Sequence, residues 1–558
     1  MINSSYTKIE KIGFWALLGI GVFLRIYKLG IIPIGLNADE ASIGYEAYSL
    51  LKTGADRWGI QLPPYFLSFG SGQNTLYAYL SVPFLYFFDL SQTSIRLLSA
   101  ALGIGTLPLV YWLAKTLLDN TRMALACVLI YTFDPFLFIS ARWALEINIL
   151  PFFAIFSIYI FTRAFEIIRK GDVLNFNRKL IIIATFPSLA FIIYSYASAL
   201  FVVFPFIFLI GFYFWKEIWS KKGLFMLSMS LFLVWLAPFI LFILKNNILK
   251  SELFIEQFLP FQIPEMLSNR EQMFKGFGQN LAIIKKNIVF IFSGFKEFDR
   301  TFNTTKFYST HFFMPIGWLG FFYLCQIVIN KTQKQFAVLF FWGICCFLPF
   351  LFFEMNLNRS IHLQSVIPLF VAIGLYFLFQ FISDSRFKKY FALGFIGLFT
   401  IQTTLFIGEY FNRYPSYDSF LKNFEPAILT ANQQKKLDEP IAITSSLVFN
   451  YLYVGFYSKY PPKQFQSSLS ANFKHQNVAV HSFGPYLMLG DISNTDYYLN
   501  ADSFEKLKAK ASFLAVLNSD EQMAHYEIDQ KSLIDTNLYT QNILHKSDSW
   551  KVIRFTKK

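Results

Sequence analysis

The feature that most constrains this chain is a succession of uncharged apolar runs, each about 17 to 25 residues long, the length a helix needs to cross a hydrocarbon core of roughly 30 Å. Reading between charged breaks places them near 12–30, 92–114, 123–139, 147–165, 180–195, 198–215, 223–244, 311–330, 336–353, 361–382 and 390–408. The pattern predicts a mainly α, polytopic integral membrane protein of about eleven transmembrane helices. Composition agrees, since only 15% of residues are charged, against roughly 25% in soluble domains. An ordinary soluble enzyme is excluded.

The formal charge of +14 does not point to nucleic acid, because of where it lies. From Pro415 to Lys558 there are 15 basic and 14 acidic residues, so nearly all the excess sits in the first 414 residues. A basic membrane part reports topology. With a cytoplasmic N-terminus, 17 Lys and Arg, from Lys8 and Lys11 to Lys388 and Lys389, fall on cytoplasmic connections, and only Arg142 and Arg359 on the short outer ones. No small-residue cleavage site precedes Arg25, so the first helix is expected to stay as an anchor. Cys127, Cys325, Cys345 and Cys346 all lie in apolar spans and form neither a zinc spacing nor a disulfide framework.

Three long segments then face outward: 31–91, 245–310, and everything after about 409. The stretch Asn74 to Leu90 is apolar and aromatic but short and Pro-broken, which suits an interfacial helix, with an extra span as the alternative. Beyond residue 414 the composition turns soluble. PIAITSS, SFLAVLNS and WKVIRFT read as strands and ADSFEKLKAKA as a helix, so 1–414 is expected to form a membrane module and 415–558 a small extracytoplasmic α/β domain.

Candidate chemistry gathers at one rim. Asp39 and Glu40 follow directly on the first span, either as a solvated pair or as acids welcomed by a helix N-terminus. Arg142 and Glu146 are four apart, a spacing that would put both on one helix face. Arg96 and Arg359 add cations at the same depth. Carboxylates beside guanidinium groups suit transfer from a phosphate leaving group: one carboxylate takes the proton of an attacking hydroxyl, and the arginines neutralise the departing phosphate. Tyr194, Tyr196 and Trp58 are either interfacial anchors or sugar-contacting rings. His311 and His362 stand isolated at helix starts, and no metal-binding cluster is legible.

These residues carry a resemblance. DEASIGYEAYSLLKTGADRWG, SFGSGQNTLYAYL, TSIRLLSAALGIGTLPLVYWLAKTLL and DPFLFISARWALEINILPFF are similar to the bacterial branch of the GT-C glycosyltransferases, related to dolichyl-phosphate-mannose protein mannosyltransferases and the lipid A aminoarabinose transferase. FNYLYVGFYSKYPPKQFQ, at the start of the C-terminal part, has the same look. The resemblance implies an inverting enzyme of a bacterial inner membrane that takes a sugar from a polyprenyl-phosphate carrier and places it on a hydroxyl of a protein, lipid or glycan. It implies Asp39 as general base, Glu40 as its neighbour orienting the acceptor or holding Asp39 ionised, Arg142 on phosphate and Glu146 on the acceptor side or fixing Arg142. Arg96 and Arg359 are implied on phosphate or in structural roles.

Some positions depart from the family pattern. Gln73, Asn74 and Thr75 stand where many relatives have Lys-Pro-Pro, and Leu200 where many have arginine. More of the phosphate work then falls to Arg96, Arg142 and Arg359, and Gln73 becomes a sugar or acceptor contact. No cofactor is expected, although metal-dependent relatives exist. A transporter or flippase of lipid-linked sugars is the alternative, but it would call for internal repeats and mid-membrane charges that the sequence lacks.

Overall fold

The eleven apolar runs are largely helical in the computed structural model, but they are not eleven spans. The structure describes residues 8–69, 72–266, 277–292, 309–331, 333–412, 421–447, 449–468, 480–493, 496–523, 526–528 and 531–558. Among these, six helices are long and apolar enough to cross a membrane: Gln92–Leu118, Glu146–Arg169, Lys222–Leu249, Lys334–Leu351, Ile361–Phe381 and Ser385–Asn412. The pair Phe176–Ile183 and Thr185–Ser195, bent by 40°, makes a seventh if counted as one span. Leu76–Phe88, Thr121–Thr132, Ala197–Tyr213 and Phe313–Ile329 are apolar but shorter.

The interruptions have local causes. Asp134 and Pro135 break the third run: the Asp134 carboxylate accepts from Leu137 N at 3.0 Å and starts a new six-residue helix, with proline at its first turn. At the bend near Ala184, Phe186 N donates to the Ser228 hydroxyl at 3.1 Å, a side chain from another helix inserted into the ladder.

By packing, the chain divides into two units: Met1–Leu29, Arg96–Ile243 and Glu271–Pro415 form one, and Gly30–Ile95, Leu244–Arg270 and Ser416–Lys558 the other. The first is helical. A close crossing joins Ser309–Ile329 to Ile367–Phe381, where a Cβ on Gly320 would meet Phe370 O at 2.0 Å and one on Gly374 would meet Ile316 O at 2.0 Å. Only glycine permits this approach, a frequent device where helices pack without a hydrophobic driving force.

The second unit groups residues 30–95 with the C-terminal part, whereas the expected division near 414 sets them apart. That boundary itself lies outside the described residues. The grouping follows from direct bonds: Tyr45 Oη donates to Tyr460 O at 2.9 Å, Gln466 Nε2 to Asp56 O at 2.7 Å, and Gln92 Nε2 to Glu425 Oε2 at 3.1 Å.

Its strands are β1 (Tyr65–Phe66), β2 (Gln73–Asn74), β3 (Ile441–Ile443), β4 (Ser482–Phe483), β5 (Tyr486–Met488), β6 (Gly490–Ser493), β7 (Asp496–Leu499), β8 (Ser512–Asn518), β9 (Glu527–Ile528), β10 (Lys531–Ser532), β11 (Tyr539–Lys546) and β12 (Trp550–Lys557). Six of them form a mixed sheet in the order β11-β12-β8-β3-β5-β4, with β3 parallel to both β5 and β8. Alternation sorts the side chains: Ala442, Leu487, Phe513, Ala515, Leu517, Ile553 and Phe555 join Phe504 and Leu507 of the helix Ala501–Lys508 in one core. The three strands and the helix expected beyond residue 414 are all present as β3, β8, β12 and Ala501–Lys508.

Candidate functional site

Four helices matter below: α1 (Lys8–Ile26), α2 (Ala38–Thr53), α3 (Leu76–Phe88) and α4 (Gln92–Leu118). The acid pair belongs to the first turn of α2. Asn37 caps that helix by accepting from Glu40 N at 2.8 Å, and Glu40 Oε2 accepts from Asn37 N at 3.4 Å, a reciprocal capping box. Gly54, at φ 70°, closes it in the left-handed conformation glycine adopts at little cost. Glu40 is fully buried while Asp39 is exposed, so the two neighbours are already differentiated. Asp39 has the access a general base needs; Glu40 holds the turn that carries it.

Behind α2 lies a cluster of buried charge that sequence reading does not single out. Glu46, Asp56 and Arg57 are each 0% exposed. The Arg57 guanidinium stands 3.3 Å from Glu46 Oε1, and Arg57 N donates to Glu46 Oε2 at 2.8 Å. Arg57 also donates to the Ser42 hydroxyl at 2.7 Å, the Ser68 hydroxyl at 2.8 Å and Leu67 O at 3.2 Å. Ser42 in turn donates to Gln73 Oε1 at 3.0 Å, so one guanidinium ties α2 to the 67–68 stretch and to β2. Trp58 lies 5.0 Å from the guanidinium and donates through Nε1 to Leu67 O at 2.8 Å.

Asp56 Oδ1 accepts from Trp58 N at 2.9 Å and Ile60 N at 2.8 Å, while Oδ2 is buried without a hydrogen bond. Burial first, then the charge of Glu46, pushes the Asp56 carboxyl well above the usual carboxylate range. Burial also raises Glu46, with Arg57 opposing the shift. Gln73 and Trp58 therefore join one hydrogen-bonded network with α2.

In the other unit, Arg142 is fully buried and donates to Leu24 O at 2.7 Å, Arg25 O at 3.1 Å, Tyr27 O at 2.8 Å and Tyr410 Oη at 2.9 Å. It holds the carbonyl end of α1, where a cation also complements the helix dipole. Arg96, in α4, is buried and reaches Leu29 O at 3.3 Å. The expected shared helix face of Arg142 and Glu146 is corrected: the helix Pro135–Ser140 ends before Arg142, and Glu146 opens a separate 3-10 turn, so the i,i+4 relationship does not apply.

Arg359 is exposed and donates to Glu354 O at 2.8 Å. Tyr196 caps the helix Thr185–Ser195, its ring 6.5 Å from buried His362, whose Nε2 is 3.2 Å from the Ser198 hydroxyl. Tyr194 is elsewhere, donating to Trp235 O at 2.9 Å and packing on Phe239. In the segment 245–310, residues 267–276 and 293–308 lie outside the described residues; Gln262 N donates to Gln61 O at 2.9 Å. His311 has no described side chain. Among the described residues no three His, Cys, Asp or Glu side chains stand together as a metal site.

Glu46, Asp56 and Arg57 could have been noticed as three charges within twelve residues, but no periodicity pairs Glu46, in α2, with Arg57 beyond its end. Tyr453, whose phenol stands within electrostatic reach of Asp39 and Glu40, comes from the other end of the chain and leaves no local signal.

Residues 15–254 match the family model described as dolichyl-phosphate-mannose-protein mannosyltransferase. No curated protein sequence matches the chain. Among solved structures the chain is similar to ArnT from Cupriavidus metallidurans bound to undecaprenyl phosphate, with 12% identity, 98% of this chain and 98% of that one covered, and a TM-score of 0.56. It is also similar to the Archaeoglobus fulgidus oligosaccharyltransferase in its apo form, with 14% identity, coverage of 82% and 64%, and a TM-score of 0.54. The same organism's AglB, in complex with an inhibitory peptide and a dolichol-phosphate, gives 11%, 93% and 71%, and 0.51. The chain shares its fold with these proteins.

Proposed function

We propose that this chain is an integral-membrane glycosyltransferase that moves a sugar from a polyprenyl-phosphate carrier to a hydroxyl of a protein, lipid or glycan, with inversion at the anomeric carbon. The observation that carries the reading is the capped helix α2, which presents an exposed carboxylate, Asp39, on its first turn directly after the first apolar helix. The family match over 15–254 spans that helix, and the ArnT and AglB structures contain undecaprenyl phosphate and a dolichol-phosphate.

Asp39 takes the proton of the acceptor hydroxyl as its oxygen attacks the anomeric carbon, and the bond to the carrier phosphate breaks with its electron pair staying on phosphate. No general acid is needed for an anionic leaving group. The role of neutralising the phosphate is assigned to arginine, with Arg359, Arg96 and Arg142 as the candidates the family resemblance implies. Glu146, Gln73, Trp58 and Tyr196 serve the acceptor or sugar side, whereas Tyr194 is held by Trp235 and Phe239. The site faces outward from a bacterial inner membrane with the N-terminus inside, in keeping with the distribution of Lys and Arg.

The test is purified protein in detergent with a panel of polyprenyl-phosphate and polyprenyl-diphosphate sugars, reading free lipid phosphate and transferred sugar. Release and transfer from one donor supports the reading. Absence of release from every donor, with lipid-linked sugar crossing the bilayer of reconstituted vesicles, replaces it with transport.

A further inference from the structure

The helix Asn450–Tyr457 belongs to the stretch FNYLYVGFYSKY, which the reaction above leaves without a task. It packs on α2 at close range. A Cβ on Gly44 would lie 2.4 Å from the Phe456 ring, and one on Gly455 would touch the Tyr45 ring at 3.4 Å. Glu40 stands one turn before Gly44 on the same face of α2, and Tyr453 stands three residues before Phe456 on the same face of its helix.

This register brings the Tyr453 phenol within electrostatic reach of both Asp39 and Glu40. Its ring is backed by Phe424, with centroids 6.2 Å apart, and the side chain is buried. Burial first, then the charges of Asp39 and Glu40, pushes the phenol's ionisation upward, so it remains neutral and able to donate.

We propose that Tyr453 is a positioning residue for the acid pair: its phenol steadies Asp39 and Glu40 at the first turn of α2, so that the C-terminal α/β part of the chain completes the catalytic site. The link to turnover rests on the glycosyltransferase reading; the coupling of Tyr453 to the carboxylates does not. A tyrosine that merely filled space would be replaced by phenylalanine with no dependence on what stands at residue 40. A positioning phenol makes the two substitutions interdependent.

Two readouts on the full-length protein in detergent test this. The first is a double-substitution cycle on melting temperature with Tyr453→Phe, Glu40→Gln and both. The expected result is a loss of about 2 °C or more for Tyr453→Phe in the wild-type background and less than half that loss in the Glu40→Gln background. Strictly additive shifts overturn the proposal. The second is steady-state transfer, where Tyr453→Phe is expected to lower kcat about 10-fold with KM for the donor lipid within about twofold. An unchanged kcat in a folded Tyr453→Phe protein overturns it as well. A coupled cycle in a wild-type protein that turns over no donor keeps the positioning role and removes the glycosyltransferase reading.

Discussion

The Glu46 carboxylate and the Arg57 guanidinium lie 3.3 Å apart with neither side chain exposed to solvent, and the same arginine bonds to two serine hydroxyls and a backbone carbonyl. A buried pair of this kind is costly to break from one side, since the remaining charge stays desolvated. Arg57→Met and Glu46→Gln are each expected to destabilise the fold by roughly 3–5 kcal/mol. Glu46→Leu with Arg57→Met, both apolar, should recover much of that loss. Denaturant or thermal unfolding in detergent checks this; a double variant no better than either single one would show that the network, not the charge, is what matters.

Asp56 gives a pH signature. Its folded-state affinity for a proton is raised by burial and by Glu46, whereas in the unfolded chain an aspartate titrates near about 3.9. The folded state is thus favoured while Asp56 is protonated, and that advantage falls as pH rises above the unfolded value towards the raised folded one. Asp56→Asn removes the dependence. The melting temperature of the variant relative to wild type should climb between about pH 5 and about pH 8. Parallel melting curves across that range would contradict the assignment.

Arg142 separates charge from geometry. Four acceptors surround its guanidinium, three of them carbonyls at or just beyond the end of α1. Arg142→Lys keeps the charge but cannot reproduce the fork. It is expected to lower stability by about 2 kcal/mol or more and to reduce transfer. If lysine restores both fully, the residue works through its charge alone.

Much of this architecture was legible in the chain. The apolar runs and the strands β3, β8 and β12 announce themselves by periodicity, because burial repeats along a regular element. The acids after the first span are readable as a helix start because Asn37 and Glu40 stand at capping-box spacing. What fails is any inference that carries a period across an unseen break. Arg142 and Glu146 lose their shared face because Asp134 and Pro135 restart the helix and it ends at Ser140. The pairing of Glu46 with Arg57 crosses the αL end of α2 at Gly54, and Tyr453 meets α2 only after the whole chain has folded back. Tertiary contacts of this kind have no local period to announce them.

Gly44 is the steric counterpart of the positioning argument. Since a Cβ there would sit 2.4 Å from Phe456, Gly44→Ala must shift the helix Asn450–Tyr457 or the ring. A cost of about 1–3 kcal/mol is expected, relieved in part by Phe456→Leu. Full stability of Gly44→Ala alone would mean that the two helices do not meet as described.

The most direct test of the central claim is the release of free lipid phosphate from a polyprenyl-phosphate sugar by wild type and by Asp39→Asn, measured on protein of equal folded content. With Asp39 as the base, wild type releases phosphate and transfers sugar while Asp39→Asn falls by about 100-fold or more. Undiminished transfer by Asp39→Asn would contradict the account, because the exposed carboxylate on α2 would then have no part in the chemistry.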